Sequence, residues 1–128
     1  MVDILLVDDD LTFAKIVETF LKKKGYQVTV QHTVKGGLKA LVENKYQLLL
    51  LDYRLPDGTG LDFLGAPGNS GPAIPTIMMT SFNDVRTAVK AMRSGVFEYI
   101  IKPLNPDELL MVIKEALSKD DTKIILPK

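Results

Sequence analysis

Asp8, Asp9 and Asp10 follow a short apolar run, Asp52 ends a second, Thr80 and Ser81 end a third, and Lys102, followed by Pro103, ends a fourth. Taken singly, none of these is informative. An Asp at the end of an apolar run is ordinarily a turn residue or helix cap, and Asp10 is read that way; Thr80 alone would be a cap or turn residue, and Lys102 alone a surface residue. Together they are acids, a hydroxyl and an ammonium delivered by successive runs, a set with joint chemistry. Asp8, Asp9 and Asp52 crowded together repel, which raises at least one pKa as a coupled set. A divalent cation removes that cost, and carboxylate oxygens without His or Cys favour Mg2+, or Mn2+, over zinc. Three carboxylates, one such cation and one Lys sum to zero charge, and turning one carboxylate into an acyl phosphate dianion brings the site to only about −1. A metal-bound Asp can then act as nucleophile on a phosphoryl donor while Lys102 and the cation stabilise the transferring group.

The elements that must bring these residues together are legible in the hydropathy pattern. Asp3–Val7, Tyr26–Gln31, Gln47–Leu51, Thr76–Thr80 and Phe97–Ile101 read as strands, alternating with amphipathic stretches. Leu11–Lys24 reads as a helix with Phe13, Ile16, Val17, Phe20 and Leu21 on one face, stopped by Gly25. Val34–Asn44 reads as a helix capped by Thr33 and weakened by Gly36 and Gly37. Another helix spans about Asn83 to Ser94, stopped by Gly95. The last has Asn105 as N-cap, Pro106 at its first position and Asp107 and Glu108 in its first turn, and is expected to end near Ser118. Residues 119–128 then read as a tail or linker. Such alternation implies βα units around a parallel sheet, and an open sheet of this kind carries its site outside the carboxyl ends of the strands, where the acids, Thr80 and Lys102 fall.

Composition narrows the class. The 128 residues, 46% of them hydrophobic, suit one domain with a sizeable core. Sixteen Lys+Arg balance sixteen Asp+Glu, so nothing favours direct binding of nucleic acid. With no Cys there is no disulfide framework, thiolate metal site or Cys nucleophile. No apolar run approaches a membrane span and the start lacks a basic signal-peptide segment, so a cytoplasmic, membrane-free setting is expected. His32 is the sole histidine and is not assigned a metal role; Met78, Met79, Met92 and Met111 are read as core residues. Arg86, Lys90 and Arg93 form a basic stripe on the fourth helix, read first as a solvated face and second as a partner surface.

Four segments, in order and at matching spacing, resemble the receiver domain of two-component response regulators: Leu6-Val7-Asp8-Asp9-Asp10, Asp52-Tyr53-Arg54-Leu55-Pro56-Asp57-Gly58-Thr59-Gly60, Met79-Thr80-Ser81 and Lys102-Pro103-Leu104. The resemblance runs from Asp3 to about Ser118, giving a receiver over residues 1–118. With the alternation it points to an α/β, flavodoxin-like, doubly wound sheet of five parallel strands in the order 2-1-3-4-5, helices on both faces. It implies that Asp52 accepts a phosphoryl group from a sensor histidine kinase or phosphotransfer protein. Asp9 would ligate Mg2+, Asp8 would do so directly or through water, and the backbone carbonyl of Arg54 would complete the protein ligands. Lys102, aimed by a cis Lys102–Pro103 bond, would contact the phosphoryl group. Thr80 would move to hydrogen-bond it, and Tyr99 would swing inward, although an aromatic in an apolar strand is equally a packing residue. The new dianion thereby biases a two-state element.

The stretch from Ser81 to Met92, with Gly95, Glu98 and Tyr99, is similar to receivers of the nitrogen-regulation type, which precede a sigma-54-dependent activator ATPase; an output domain regulating transcription is therefore expected outside this chain, and a phosphorylation-dependent homodimer is a further partner to consider. One departure stands out. Gly65 to Pro72 is rich in helix breakers, so the third helix is expected to be shortened and followed by a mobile loop. Two rivals are weighed against the signalling switch, which is not an enzyme beyond its own phosphoryl transfer and slow dephosphorylation. A haloacid-dehalogenase-like phosphohydrolase needs a second acid two residues after the nucleophile, where this chain has Arg54. A degenerate receiver, binding partners without phosphorylation, has no use for the complete set of acids, Thr80 and Lys102. Arg54 and Phe82, two residues after Asp52 and Thr80, are expected to tune water access.

Overall fold

The computed structural model describes residues 1–65, 74–81 and 85–125. In chain order it contains β1 (Asp3–Val7), α1 (Leu11–Lys23), β2 (Gln27–Gln31), α2 (Val34–Glu43), β3 (Leu48–Asp52), β4 (Arg54–Leu55), β5 (Gly58–Thr59), α3 (Gly60–Leu64), β6 (Thr76–Thr80), α4 (Val85–Arg93), β7 (Glu98–Ile101) and α5 (Pro106–Ile125). β4 and β5 pair as a small antiparallel hairpin that the sequence pattern does not announce. The other five strands form one parallel sheet in the order β2-β1-β3-β6-β7, the expected 2-1-3-4-5 once the hairpin strands are passed over. The order reverses at β1 and β3, so a crevice opens beyond their carboxyl ends.

Strand periodicity divides the core between the two faces of the sheet. Ile4, Leu6, Leu48, Leu50, Ile77 and Met79 pack with α1 and α5, whereas Leu5, Val7, Leu49, Leu51 and Met78 pack with α2, α3 and α4. β3 is buried along its entire length, as a central parallel strand covered on both sides must be. Asp10 caps α1 by accepting from the Phe13 N–H, Thr33 caps α2 through the Gly36 N–H, and the Asn105 side chain accepts from Asp107 at the start of α5. α3 is only five residues long, closed at its start by a capping box between Thr59 and Asp62. The shortened third helix is thus observed, while the loop expected over Gly65 to Pro72 lies, from residue 66 on, outside the described residues. So do residues 82–84, which include Phe82 and the expected start of α4.

Three expectations need correction. Ile16 is 56% exposed rather than on the buried face of α1: that face is centred on Ala14, Val17 and Leu21, and Ile16 lies one residue, about 100°, away from Val17. Met92 and Met111 are exposed, unlike the fully buried Met78 and Met79, because both point outward from surface helices instead of lying in a central strand. The last helix does not stop near Ser118 but runs to Ile125, no Gly or Pro intervening before Pro127. Among the described residues, no helix is long and apolar enough to cross a membrane.

Candidate functional site

The crevice beyond β1 and β3 gathers the residues singled out by type. Asp8 follows the last residue of β1 and is fully buried. Its N–H donates to the Gln31 carbonyl (2.9 Å), its Oδ1 accepts from the Asp10 N–H (2.9 Å) and its Oδ2 meets the Lys102 Nζ at 2.8 Å. Asp52 is the last residue of β3, 6% exposed, with Oδ2 3.6 Å from the same Nζ. Asp9 is exposed, yet one carboxylate oxygen from each of Asp8, Asp9 and Asp52 lies within 4.8 Å of the others. A cleft of about 550 Å³ opens over them, with Thr80, Arg54, Phe13 and Lys102 in its walls.

The backbone fixes this arrangement. The Lys102 N–H donates to the Thr80 carbonyl at 2.7 Å, so the ends of β6 and β7 are tied together where their functional side chains emerge. The Lys102–Pro103 peptide is cis. Thr80 is 1% exposed and lines the cleft. Beyond Asp52, the Tyr53 N–H reaches the Met79 carbonyl (3.1 Å) and the Gly60 N–H reaches the Tyr53 carbonyl (2.7 Å). Gly60 has to be glycine for steric reasons, since a Cβ there would lie 2.9 Å from the Asp52 carbonyl oxygen and 2.8 Å from Met78 Cε.

Electrostatics follow from burial. Burial first, then the neighbouring Asp8 charge, pushes the Asp52 carboxyl up to about 7 against the pull of Lys102, with Asp9 adding to the rise. One ammonium does not neutralise three carboxylates, and all the donors are oxygens; a hard divalent cation fits this set. Tyr99, by contrast, is half-buried among the core residues beside α4, in register with Met78, and is not in the cleft wall.

Three residues near the site carry no role in the sequence reading. Phe13, read as a core residue of α1, has its ring centroid 4.2 Å from Lys102 Nζ. The His32 Nδ1 is 2.9 Å from the Asp8 carbonyl oxygen. Asp57, part of a Pro-Asp-Gly turn in sequence, accepts from the N–H groups of Val34 (2.7 Å) and Lys35 (3.0 Å), tying the hairpin after Asp52 to the start of α2. Those two N–H groups hold its exposed carboxyl below the usual range. Phe13, His32 and Asp57 depend on contacts between segments far apart in the chain. Gly60, expected with Gly58 in a loop of unusual backbone angles near the site, does lie there, but close packing rather than a positive φ requires it.

Comparison with known proteins agrees with the geometry. Residues 4–114 match the model of the response regulator receiver domain. The chain belongs to the response regulator receiver family. It is 37% identical, over 91% of its own length, to the transcriptional regulatory protein ZraR of Klebsiella oxytoca. Among solved structures, a CheY-like receiver domain protein of Methanospirillum hungatei JF-1 superimposes with a TM-score of 0.90 at 32% identity, covering 96% of this chain and 98% of that one. The receiver domain of NtrX from Brucella abortus superimposes with a TM-score of 0.83 at 30% identity, covering 91% of this chain and 98% of the other. The chain spans only 26% of the length of the ZraR relative. This receiver therefore corresponds to one portion of such regulators.

Proposed function

We propose that this receiver is a phospho-accepting switch in which Asp52 takes a phosphoryl group from a sensor histidine kinase or phosphotransfer protein. The observation that carries the reading is the Lys102 ammonium, 2.8 Å from Asp8 and 3.6 Å from Asp52 at the crevice between β1 and β3. An Asp52 carboxylate oxygen forms the new bond to phosphorus as the bond from phosphorus to the donor's imidazole nitrogen breaks, and the histidine leaves. Asp9, Asp52, the Arg54 backbone carbonyl and Asp8 are the residues that would hold Mg2+. Both Asp8 oxygens already engage other groups, which favours contact through water for that residue. When bound, the cation neutralises charge on the transferring group.

Lys102, 2.8 Å from Asp8 and 3.6 Å from Asp52, meets that same charge by turning from Asp8 to the phosphoryl oxygens. Thr80, buried in the cleft wall, supplies a hydroxyl for the product, and Tyr99 answers its movement on the α4 side. The exposed basic stripe of Arg86, Lys90 and Arg93 borders that side and is a surface for partners, a phosphorylation-dependent second copy included. Residues 1–118 form the receiver unit and 119–128 the connection to an output domain of the transcription-regulating, sigma-54 activator class, working in the cytoplasm. The name of the ZraR relative, a transcriptional regulatory protein, supports an output that regulates transcription.

Variants separate the roles. With acetyl phosphate as donor, Lys102→Ala should slow labelling of Asp52 by about 10²-fold, the scale of losing one charge stabiliser. Thr80→Ala should still be labelled, yet lose the amide chemical-shift changes that labelling produces around Tyr99 and α4. Full shift changes in labelled Thr80→Ala would contradict the switch.

A further inference from the structure

Lys102 has to be held within reach of both Asp8 and Asp52, and a flexible four-carbon side chain does not do this by itself. Its ammonium contacts Asp8 on one side and approaches Asp52 on another. On a third side stands the Phe13 ring, with its centroid 4.2 Å from Nζ, and the Lys102 side chain is only 14% exposed. Phe13 is itself anchored, because its N–H donates to Asp10 Oδ1 at 3.0 Å in the cap of α1. The cap and the acidic pair are consecutive residues, so ring and carboxylates are set by the same turn. An ammonium over an aromatic face is attracted by the ring quadrupole, and more strongly where water is displaced.

We propose that Phe13 is a positioning residue for phosphoryl transfer: its ring packs against the Lys102 ammonium and holds it between Asp8 and Asp52. The inference rests on the phospho-accepting reading of Asp52 and assigns α1 a part in the chemistry that its core-like sequence conceals. The ring touches neither phosphoryl donor nor acceptor; it acts through Lys102.

The test compares wild type, Phe13→Leu and Phe13→Tyr in the full chain. Labelling rates with acetyl phosphate and Mg2+ are measured alongside the NMR shifts of the Lys102 ε-methylene protons. Expected are an upfield ring-current shift in wild type and Phe13→Tyr that disappears in Phe13→Leu, and labelling about threefold to tenfold slower in Phe13→Leu alone, the range of one cation–π contact. Rescue by tyrosine is the sign of a ring effect, since leucine also fills apolar space. Equal labelling in Phe13→Leu and wild type would overturn the inference and leave the acceptor role of Asp52 standing. Equal slowing in both variants would assign Phe13 to packing and overturn it as well. Absence of labelling in wild type would instead remove the reading on which it rests, while a missing ring-current shift would refute the contact itself.

Discussion

Asp52, the proposed acceptor, carries a cost to the fold. Its carboxyl, lifted to about 7 by burial and by Asp8, is more easily protonated folded than unfolded. Its neutral form therefore favours the fold below about pH 4, and this contribution disappears as pH rises through about 7. In metal-free protein, Asp52→Asn should melt higher than wild type near pH 8, by on the order of 5 °C, and the gap should close near pH 4. Added Mg2+ should raise the wild-type melting temperature more at about pH 8 than at about pH 5, because the ionised carboxylate is the form that binds it. Thermal melts across pH, with and without chelator, check both signs. A gap between the two proteins that widens toward acid would contradict the assignment of Asp52 as the strained carboxylate.

The elements fix how closely Asp52 and its partners are held. Gly60, at the first position of α3, sits against the Asp52 carbonyl, so Gly60→Ala forces backbone apart and should cost about 1–3 kcal/mol in urea denaturation. Gly95→Ala, with nothing within 4 Å of the new Cβ but a φ of +96°, should cost only about 1–2 kcal/mol from backbone conformation and leave labelling of Asp52 unchanged. Gly60→Ala should slow it. The sheet was legible because five apolar runs are separated by well-marked caps, and Asp10, Thr33 and Asn105 all act as read. The hairpin β4–β5 was not, since two-residue strands carry no periodicity. Nor was the exposure of Met92 and Met111, because hydrophobicity alone does not say which way a surface helix turns. The end of α5 was missed for a related reason: polar residues after Ser118 looked like a linker, and nothing there breaks a helix.

Across the fold, the acids, Thr80 and Lys102 meet because a parallel sheet with its order reversed at β1 and β3 sends those strand ends to one crevice. Strand-end chemistry could therefore be read from the sequence, whereas the Phe13, His32 and Asp57 contacts needed the folded chain. The same architecture sets α4, β7 and their exposed residues Val89, Met92 and Ile101 beside the half-buried Tyr99, the route we propose from Asp52 to partners. That route has meaning only if Asp52 accepts a phosphoryl group. Intact mass after incubation with acetyl phosphate, with and without Mg2+, decides it for wild type and Asp52→Asn. One added phosphoryl group is predicted, in wild type with Mg2+ only. The same gain in Asp52→Asn, or none in folded wild type with Mg2+, would contradict the acceptor site described for this receiver.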